Sequence, residues 1–180
     1  MSRIIFISGG ARSGKSRLAE QLAQQYGAPL GYVATGRAGD GEMAARIARH
    51  QVRRGPDWQT LEEPLDLCGV IGGHDGYFAA MLVDCVTLWL TNLLFHYEND
   101  PRGIAPEALA LADVRAFSAR FAGFRTPLIL VSNEVGMGIV PDNRLARVFR
   151  DLAGEANELL AAAADEAYVT ISGLPLKLKG

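Results

Sequence analysis

Eight consecutive residues, Gly9-Gly10-Ala11-Arg12-Ser13-Gly14-Lys15-Ser16, carry the pattern GxxxxGK[ST] at Gly9, Gly14, Lys15 and Ser16. The chemistry this spacing serves is the binding of a polyphosphate. Glycines let successive backbone N–H groups turn inward around phosphate oxygens, and the start of the following helix adds the positive end of its dipole. Lys15 then reaches the β- and γ-phosphates and the Ser16 hydroxyl ligates Mg2+, which makes Lys15 catalytic as well as a binding residue. A glycine turn between a strand and a helix can share this composition. Here an apolar strand enters the loop and an amphipathic helix leaves it, the context a phosphate loop requires. Gly9 to Ser16 therefore read as the cradle for a nucleoside triphosphate.

Two other side chains could join that chemistry. Asp84 closes the apolar run Met81-Leu82-Val83-Asp84. A carboxylate at the carboxyl end of such a strand can hold Mg2+ directly or through water. The plainer role is to cap the next helix; the phosphate loop favours the metal. His50 lies in Glu42 to Arg53, which reads as helical, with Arg46 four residues before it and Arg53 and Arg54 three and four after. All three fall on its face. Cations there disfavour imidazolium, keep the ring nucleophilic and gather phosphate oxygens. The competing reading is a surface histidine on a charged helix. Glu134, ending another strand, is a candidate general base, with N-cap or loop anchor as the competing role.

The remaining reactive types read as structural. His74 sits in a glycine turn and is expected to be exposed, and His96 ends an apolar helix, where it complements the dipole. Trp58 and Trp89 are expected to pack, with Trp58 also a candidate to border a base or a large ring. Cys68 and Cys85 form no CxxC and read as buried thiols in a reducing compartment, not as a disulfide or zinc site. Gly136 and Gly138 suit either a mobile active-site loop or a fixed turn.

Periodicity supplies the elements that must position these residues. Ile4 to Ser8 is a short apolar run that reads as a buried parallel strand. Ser16 to Tyr26 follows as a helix, ended by Gly27-Ala28-Pro29. Further strands are expected at Leu30 to Thr35, at Tyr77 to Asp84, at Pro127 to Ser132 and at Ala167 to Ser172. Helices are expected at Glu42 to Arg53, Pro64 to Ile71, Leu88 to Tyr97, Pro106 to Ala122 and Asn143 to Ala164. Gly36 to Gly41 reads as a loop, Gly72 to Gly76 as a turn, Asn99 to Gly103 as a flexible insertion and Pro175 to Gly180 as a tail. The alternation predicts an α/β fold: one domain over residues 1–180, a mostly parallel sheet and helices on both faces.

The bulk numbers agree with one soluble domain. The chain has 180 residues, 49% hydrophobic and 21% charged, with a formal net charge of -2. That length supports a full core, and the charge provides no basic field for nucleic acid. Lysine occurs only at positions 15, 177 and 179, so arginine, suited to bidentate phosphate contacts, carries most of the positive charge. Met1 to Ile7 is too short for a leader and no apolar stretch is long enough to span a membrane, so the protein reads as cytoplasmic.

The chain resembles the bifunctional adenosylcobinamide kinase/adenosylcobinamide-phosphate guanylyltransferase family. The resemblance rests on Gly9 to Ser16, Glu42-Met43-Ala44-Ala45-Arg46-Ile47 leading to His50, Arg54, and Trp58-Gln59-Thr60. It continues in Thr91-Asn92-Leu93-Leu94-Phe95, in Ser132 to Pro141, in Asn143 to Arg147 and in Phe149-Arg150-Asp151. The run Asn133 to Pro141 is the most specific part. The resemblance implies a RecA-like phosphate-loop NTPase domain, a homotrimer, and two reactions. ATP or GTP phosphorylates the aminopropanol hydroxyl of adenosylcobinamide; GMP from GTP then passes to that phosphate, giving adenosylcobinamide-GDP and pyrophosphate. It implies that His50 becomes guanylylated. It also implies nucleotide contacts from Gly9 to Ser16, from Ala34, Thr35 and Gly36, from Gln51, Val52, Arg53 and Arg54, and from Glu62 and Asp84, with Mg2+ at Ser16 and Asp84.

Two other classes remain open at this point. A monofunctional small-metabolite kinase would share the loop and Asp84 but form no protein–GMP adduct. A nucleotide-sensing protein would bind without turnover. Its Ras-like version needs a guanine-reading Asn/Thr-Lys-x-Asp motif, and the lysine positions exclude that motif.

Overall fold

A computed structural model describes residues 3–36 and 54–180. β1 (Ile4–Gly9) shows the logic of the whole sheet. Its side chains alternate between two apolar cores, so a strand buried on both faces reads as an unbroken apolar run. Ile5 and Ile7 join one core with Leu30, Tyr32, Leu82, Ile129 and Val131, closed by Ala19 and Ala23 of α1 (Lys15–Gln24). Ile4 and Phe6 join the other with Val33, Met81, Val83, Leu128 and Leu130.

That second face carries four helices: α2 (Leu67–Gly73), α3 (Val86–Tyr97), α4 (Pro106–Ala119) and α5 (Arg144–Ala163). Trp89 and Phe117 form its aromatic centre, with ring centroids 5.6 Å apart, and the Trp89 indole N–H donates to Leu65 O at 2.7 Å. α5 is capped at its start by Asn143, whose side chain accepts from Ala146 N. Its buried Leu152, Ala153, Ala156 and Leu160 pack on the sheet, as its alanine-rich composition suggests.

The remaining strands are β2 (Leu30–Ala34), β3 (Trp58–Glu62), β4 (Ala80–Asp84), β5 (Leu128–Val131), β6 (Glu166–Ile171) and β7 (Leu174–Lys179). They form one sheet in the order β3-β2-β4-β5-β1-β6-β7, parallel throughout except for the β6–β7 hairpin. The α/β fold with a mostly parallel sheet and helices on both faces is therefore present.

Several expectations need correction. β3 is an edge strand whose outward residues are polar, and β7 is a strand where the sequence reads as a tail. The expected helix at Leu88 begins at Val86, and the helix expected to reach Ala122 ends at Ala119, followed by a 3-10 turn at Phe121–Gly123. Asn99 to Gly103 is a tight turn in which Arg102 donates to Asp100 at 2.8 Å. His74 is half-buried at the end of α2, its Nδ1 2.8 Å from Val70 O. Cys85 is buried and Cys68 half-buried, both free. The expected helix Glu42 to Arg53, with His50, lies outside the described residues.

β7 belongs to the sheet because its two lysines have work on opposite sides. Lys179 Nζ donates to the carbonyls of Ala162 and Ala164 at 2.7 and 2.6 Å, satisfying the open end of α5. Lys177 pairs at 3.1 Å with Glu166, a buried carboxylate that also pairs with Arg3 and accepts from Tyr168 Oη at 2.5 Å. Burial pushes the Glu166 carboxyl up, but the Tyr168 and Lys177 hydrogen bonds and the Arg3 charge outweigh it and hold the group below its usual range. A depressed folded value means stability that is present above the ordinary glutamate range and lost as pH falls through the folded value. Glu166→Gln is expected to cost about 1–2 kcal/mol at pH 7, the order of a charged hydrogen bond. Urea unfolding should show the gap to the parent closing as pH falls below that range.

Candidate active site

Parallel pairing brings the strand ends to one edge. The register places Glu62 beside Ala34, Ala34 beside Asp84, Asp84 beside Val131, Val131 beside Ile7, and Gly9 beside Thr170. Open parallel sheets bind ligands at this carboxyl edge. The predicted residues of the phosphate loop, Ala34, Thr35, Gly36, Glu62 and Asp84 all gather here. His50, Gln51, Val52 and Arg53 lie outside the described residues.

The loop from Gly9 to Gly14 is folded against β6. Gly9 has φ 154°, and a Cβ there would stand 2.5 Å from Thr170 Oγ1 and 2.6 Å from Thr170 O, so only glycine lets the strands approach. Ser13 N–H donates to Gly10 O at 3.2 Å, and the Ser13 and Thr170 hydroxyls share a 2.7 Å hydrogen bond. Gly173, in the β6–β7 turn, donates to Ser13 O at 3.0 Å. Gly14, with φ 99°, turns the chain into α1 directly against Gly173. Ala11 and Arg12 are exposed at the rim.

Lys15 is buried, and its Nζ donates to Gly10 O at 2.9 Å, folding the ammonium back over the loop. Ser16 is half-buried in the first turn of α1, where helix N–H groups lack intrahelical acceptors.

Asp84 stands at the end of β4, half-buried, with β5 between it and the loop strand. Among the described residues no three His, Cys, Asp or Glu side chains gather as a metal cage. A hydroxyl and one carboxylate beside a phosphate cradle are nevertheless the hard oxygen donors Mg2+ uses, since that ion keeps several waters and takes phosphate oxygens. Ser16 and Asp84 fit it.

The neighbouring Thr35 is locked in place. Its hydroxyl donates to Cys85 O at 2.8 Å and accepts from Cys85 N at 2.9 Å, while Asn92 donates to its carbonyl at 2.8 Å. The side chain thus ties the end of β2 to the β4–α3 junction, while the Ala34 carbonyl accepts from Glu63 N at 3.0 Å. Burial, then the charge of Asp84, pushes the Cys85 thiol up, and its Sγ lies 3.0 Å from Thr87 Oγ1, a hydrogen bond in which either group can donate. Glu62 is exposed at the end of β3. Arg54 is buried, 3.3 Å above the centre of the Tyr32 ring, with a 3.4 Å bond to Thr60 Oγ1.

Glu134 anchors the loop after β5: its N–H donates to Gly9 O at 3.0 Å and its carboxylate accepts from Gly136 N at 2.8 Å. Thr170, Gly173 and Tyr32 were not singled out from sequence. The dipeptide Ser172-Gly173 is a turn signal that could have exposed the hairpin; Thr170 and Tyr32 carry none.

A phosphate cradle on a sheet in which β5 separates the loop strand from the Asp84 strand defines a RecA-like phosphate-loop fold. The crystal structure of the RadB recombinase shares the fold, with a TM-score of 0.51 at 15% identity, covering 93% of this chain and 73% of that one. The chain matches the family described as cobinamide kinase / cobinamide phosphate guanyltransferase over residues 5–178, and it belongs to that family. It is 45% identical to the bifunctional adenosylcobalamin biosynthesis protein CobP of Pseudomonas aeruginosa, over 97% of this chain and 96% of that protein. It is 43% identical to the bifunctional adenosylcobalamin biosynthesis protein CobU of Escherichia coli, over 98% and 99%. The CobU protein of Salmonella typhimurium is 44% identical over the same shares.

The clasp between β6 and the loop generates a test. Thr170→Val keeps the shape of a buried side chain but strips Ser13 of its hydroxyl partner. GTP affinity, measured by calorimetry, is expected to fall about fivefold to tenfold, the worth of one hydrogen bond.

Proposed function

We propose that this enzyme phosphorylates adenosylcobinamide with ATP or GTP and then transfers GMP from GTP to the product, giving adenosylcobinamide-GDP and pyrophosphate. The observation that carries the reading is the whole-chain match to a bifunctional family in a chain whose phosphate loop and strand-end Asp84 share one sheet edge. Gly9 to Ser16 hold the triphosphate, with Ala34, Gly36, Arg54, Glu62 and Asp84 and the segment Gln51 to Arg53 along the same nucleotide. Mg2+, held by Ser16 and Asp84 when bound, neutralises charge on the phosphoryl group in transfer.

In the kinase step the corrinoid hydroxyl attacks the γ-phosphorus and gives up its proton to solvent, the bond to the bridging oxygen breaks, and Lys15 with the loop N–H groups stabilises the charge on the departing diphosphate. In the second reaction neutral His50 attacks the α-phosphorus of GTP and pyrophosphate leaves. A phosphate oxygen of the corrinoid then attacks guanylyl-His50, the P–N bond breaks, and the imidazole is released. Arg46, Arg53 and Arg54 favour the neutral ring and draw in the phosphates.

The reading includes a homotrimer in the cytoplasm with no nucleic-acid partner. Apolar side chains such as Met137 (85% exposed), Ile139 (97%) and Leu174 (73%) support subunit contacts. No helix among the described residues is long and apolar enough to cross a membrane.

Adenosylcobinamide incubated with ATP and GTP is expected to gain first a phosphate and then GMP by mass. GTP labelled on its α-phosphate is expected to leave an acid-labile, base-stable label on the protein, absent in His50→Ala. An unmodified corrinoid, or a label that persists in the variant, overturns the reading.

A further inference from the structure

Tyr32 sits where the two halves of the candidate site meet. It is 8% exposed on β2, on the sheet face it shares with Leu82. The register pairs Tyr32 with Leu82 and Ala34 with Asp84. Asp84 therefore follows Leu82 on the same face, one diagonal step from the phenol. Across adjacent strands a diagonal neighbour is within reach of a long aromatic side chain.

The other side of the ring carries a cation. The Arg54 guanidinium carbon lies 3.3 Å from the ring centre, and Arg54 is only 6% exposed. A desolvated guanidinium on an aromatic face is a strong, oriented contact. Trp58 closes the stack, edge-on to Tyr32 with centroids 6.3 Å apart. Arg54 Nη1 is buried without a hydrogen-bond acceptor among the described residues.

We infer that Tyr32 is a positioning residue that serves both ends of the site: its hydroxyl orients the Asp84 carboxylate, and its ring face holds Arg54, the residue through which the His50 segment rejoins the sheet. The inference rests on the proposed roles of Asp84 and Arg54 toward the nucleotide. It assigns the two functions to different parts of one side chain, so they are separable by substitution. Tyr32→Phe removes the hydroxyl and keeps the ring. Tyr32→Leu removes both while filling the same core.

The test combines GTP affinity in EDTA, GTP affinity with Mg2+, and steady-state kinetics with adenosylcobinamide. In Tyr32→Phe the metal-free affinity should stay within about twofold of the parent. The gain from Mg2+ should shrink, and kcat should fall about tenfold at unchanged corrinoid KM. In Tyr32→Leu the metal-free affinity should also fall about tenfold, because Arg54 loses its platform. Two results overturn the inference: both variants matching the parent, or both losing metal-free affinity and turnover to the same extent, which marks a packing role. If Tyr32→Leu does not fold, Tyr32→Phe decides alone, since an unchanged Mg2+ gain and kcat rejects the hydroxyl's role. A parent enzyme that binds GTP but leaves the corrinoid unmodified sinks the proposed function while the two affinity measurements still judge Tyr32.

Discussion

The approach of the Gly9 backbone to Thr170 sets the geometry of the whole carboxyl edge. A parallel sheet fixes the spacing of strand ends, but a phosphate loop must also turn away from its own strand at once. Gly9 does this at φ 154° with Thr170 Oγ1 filling the space a Cβ would need. The same hydroxyl then meets Ser13, and Gly173 meets the Ser13 carbonyl. The loop is thus held from one side by the hairpin and from the other by its own strand. Backbone donors preorganised in this way need no rearrangement as charge develops on a phosphate, which is the main source of catalysis in phosphoryl transfer.

That dependence explains why the C-terminal hairpin is part of the site and not an appendage. β7 covers the edge of β6, and Lys177 and Lys179 tie it to Glu166 and to the end of α5. An edge strand of lysines and a proline is also a poor template for further strand pairing. The hairpin can therefore close the sheet, steady Thr170 and Gly173, and still present Leu174, Leu176 and Leu178 to the outside.

Legibility from sequence follows the range of the interaction. Gly9 to Ser16 is local, so its strand, loop and helix were readable, as were the apolar strands ending at Asp84 and Val131. β3 was not, because an edge strand such as Trp58-Gln59-Thr60-Leu61-Glu62 exposes one face and carries a polar majority. β7 was hidden by Pro175, tolerated there because it occupies an edge. The site shows the same division. Asp84 was legible as a carboxylate after an apolar run. The Thr35–Cys85 lock and the Thr170 clasp join residues 50 and 157 positions apart, and such pairs depend on sheet order, which propensity does not encode. The proposed role of His50 comes from the arginines around it in sequence and from family resemblance.

One cradle proposed to serve two phosphorus centres raises the question of what selects between them. Backbone N–H groups and Lys15 bind phosphate oxygens without distinguishing an adenine from a guanine nucleotide or an α from a γ centre. In the proposed function selection falls to the far side of Asp84, where β2 and β3 end. There Thr35 is immobilised by Cys85 and Asn92, while Arg54 is stacked on Tyr32 and bonded to Thr60. Both ends of the connection between β2 and β3 are thus fixed to the sheet, and His50 lies within that connection. In the proposed reaction the nucleophile belongs to this connection, while the corrinoid hydroxyl, being part of a diffusible substrate, enters from solvent. In the proposed function the two reactions differ by nucleophile and not by phosphate site, which is how a single phosphate loop would support both.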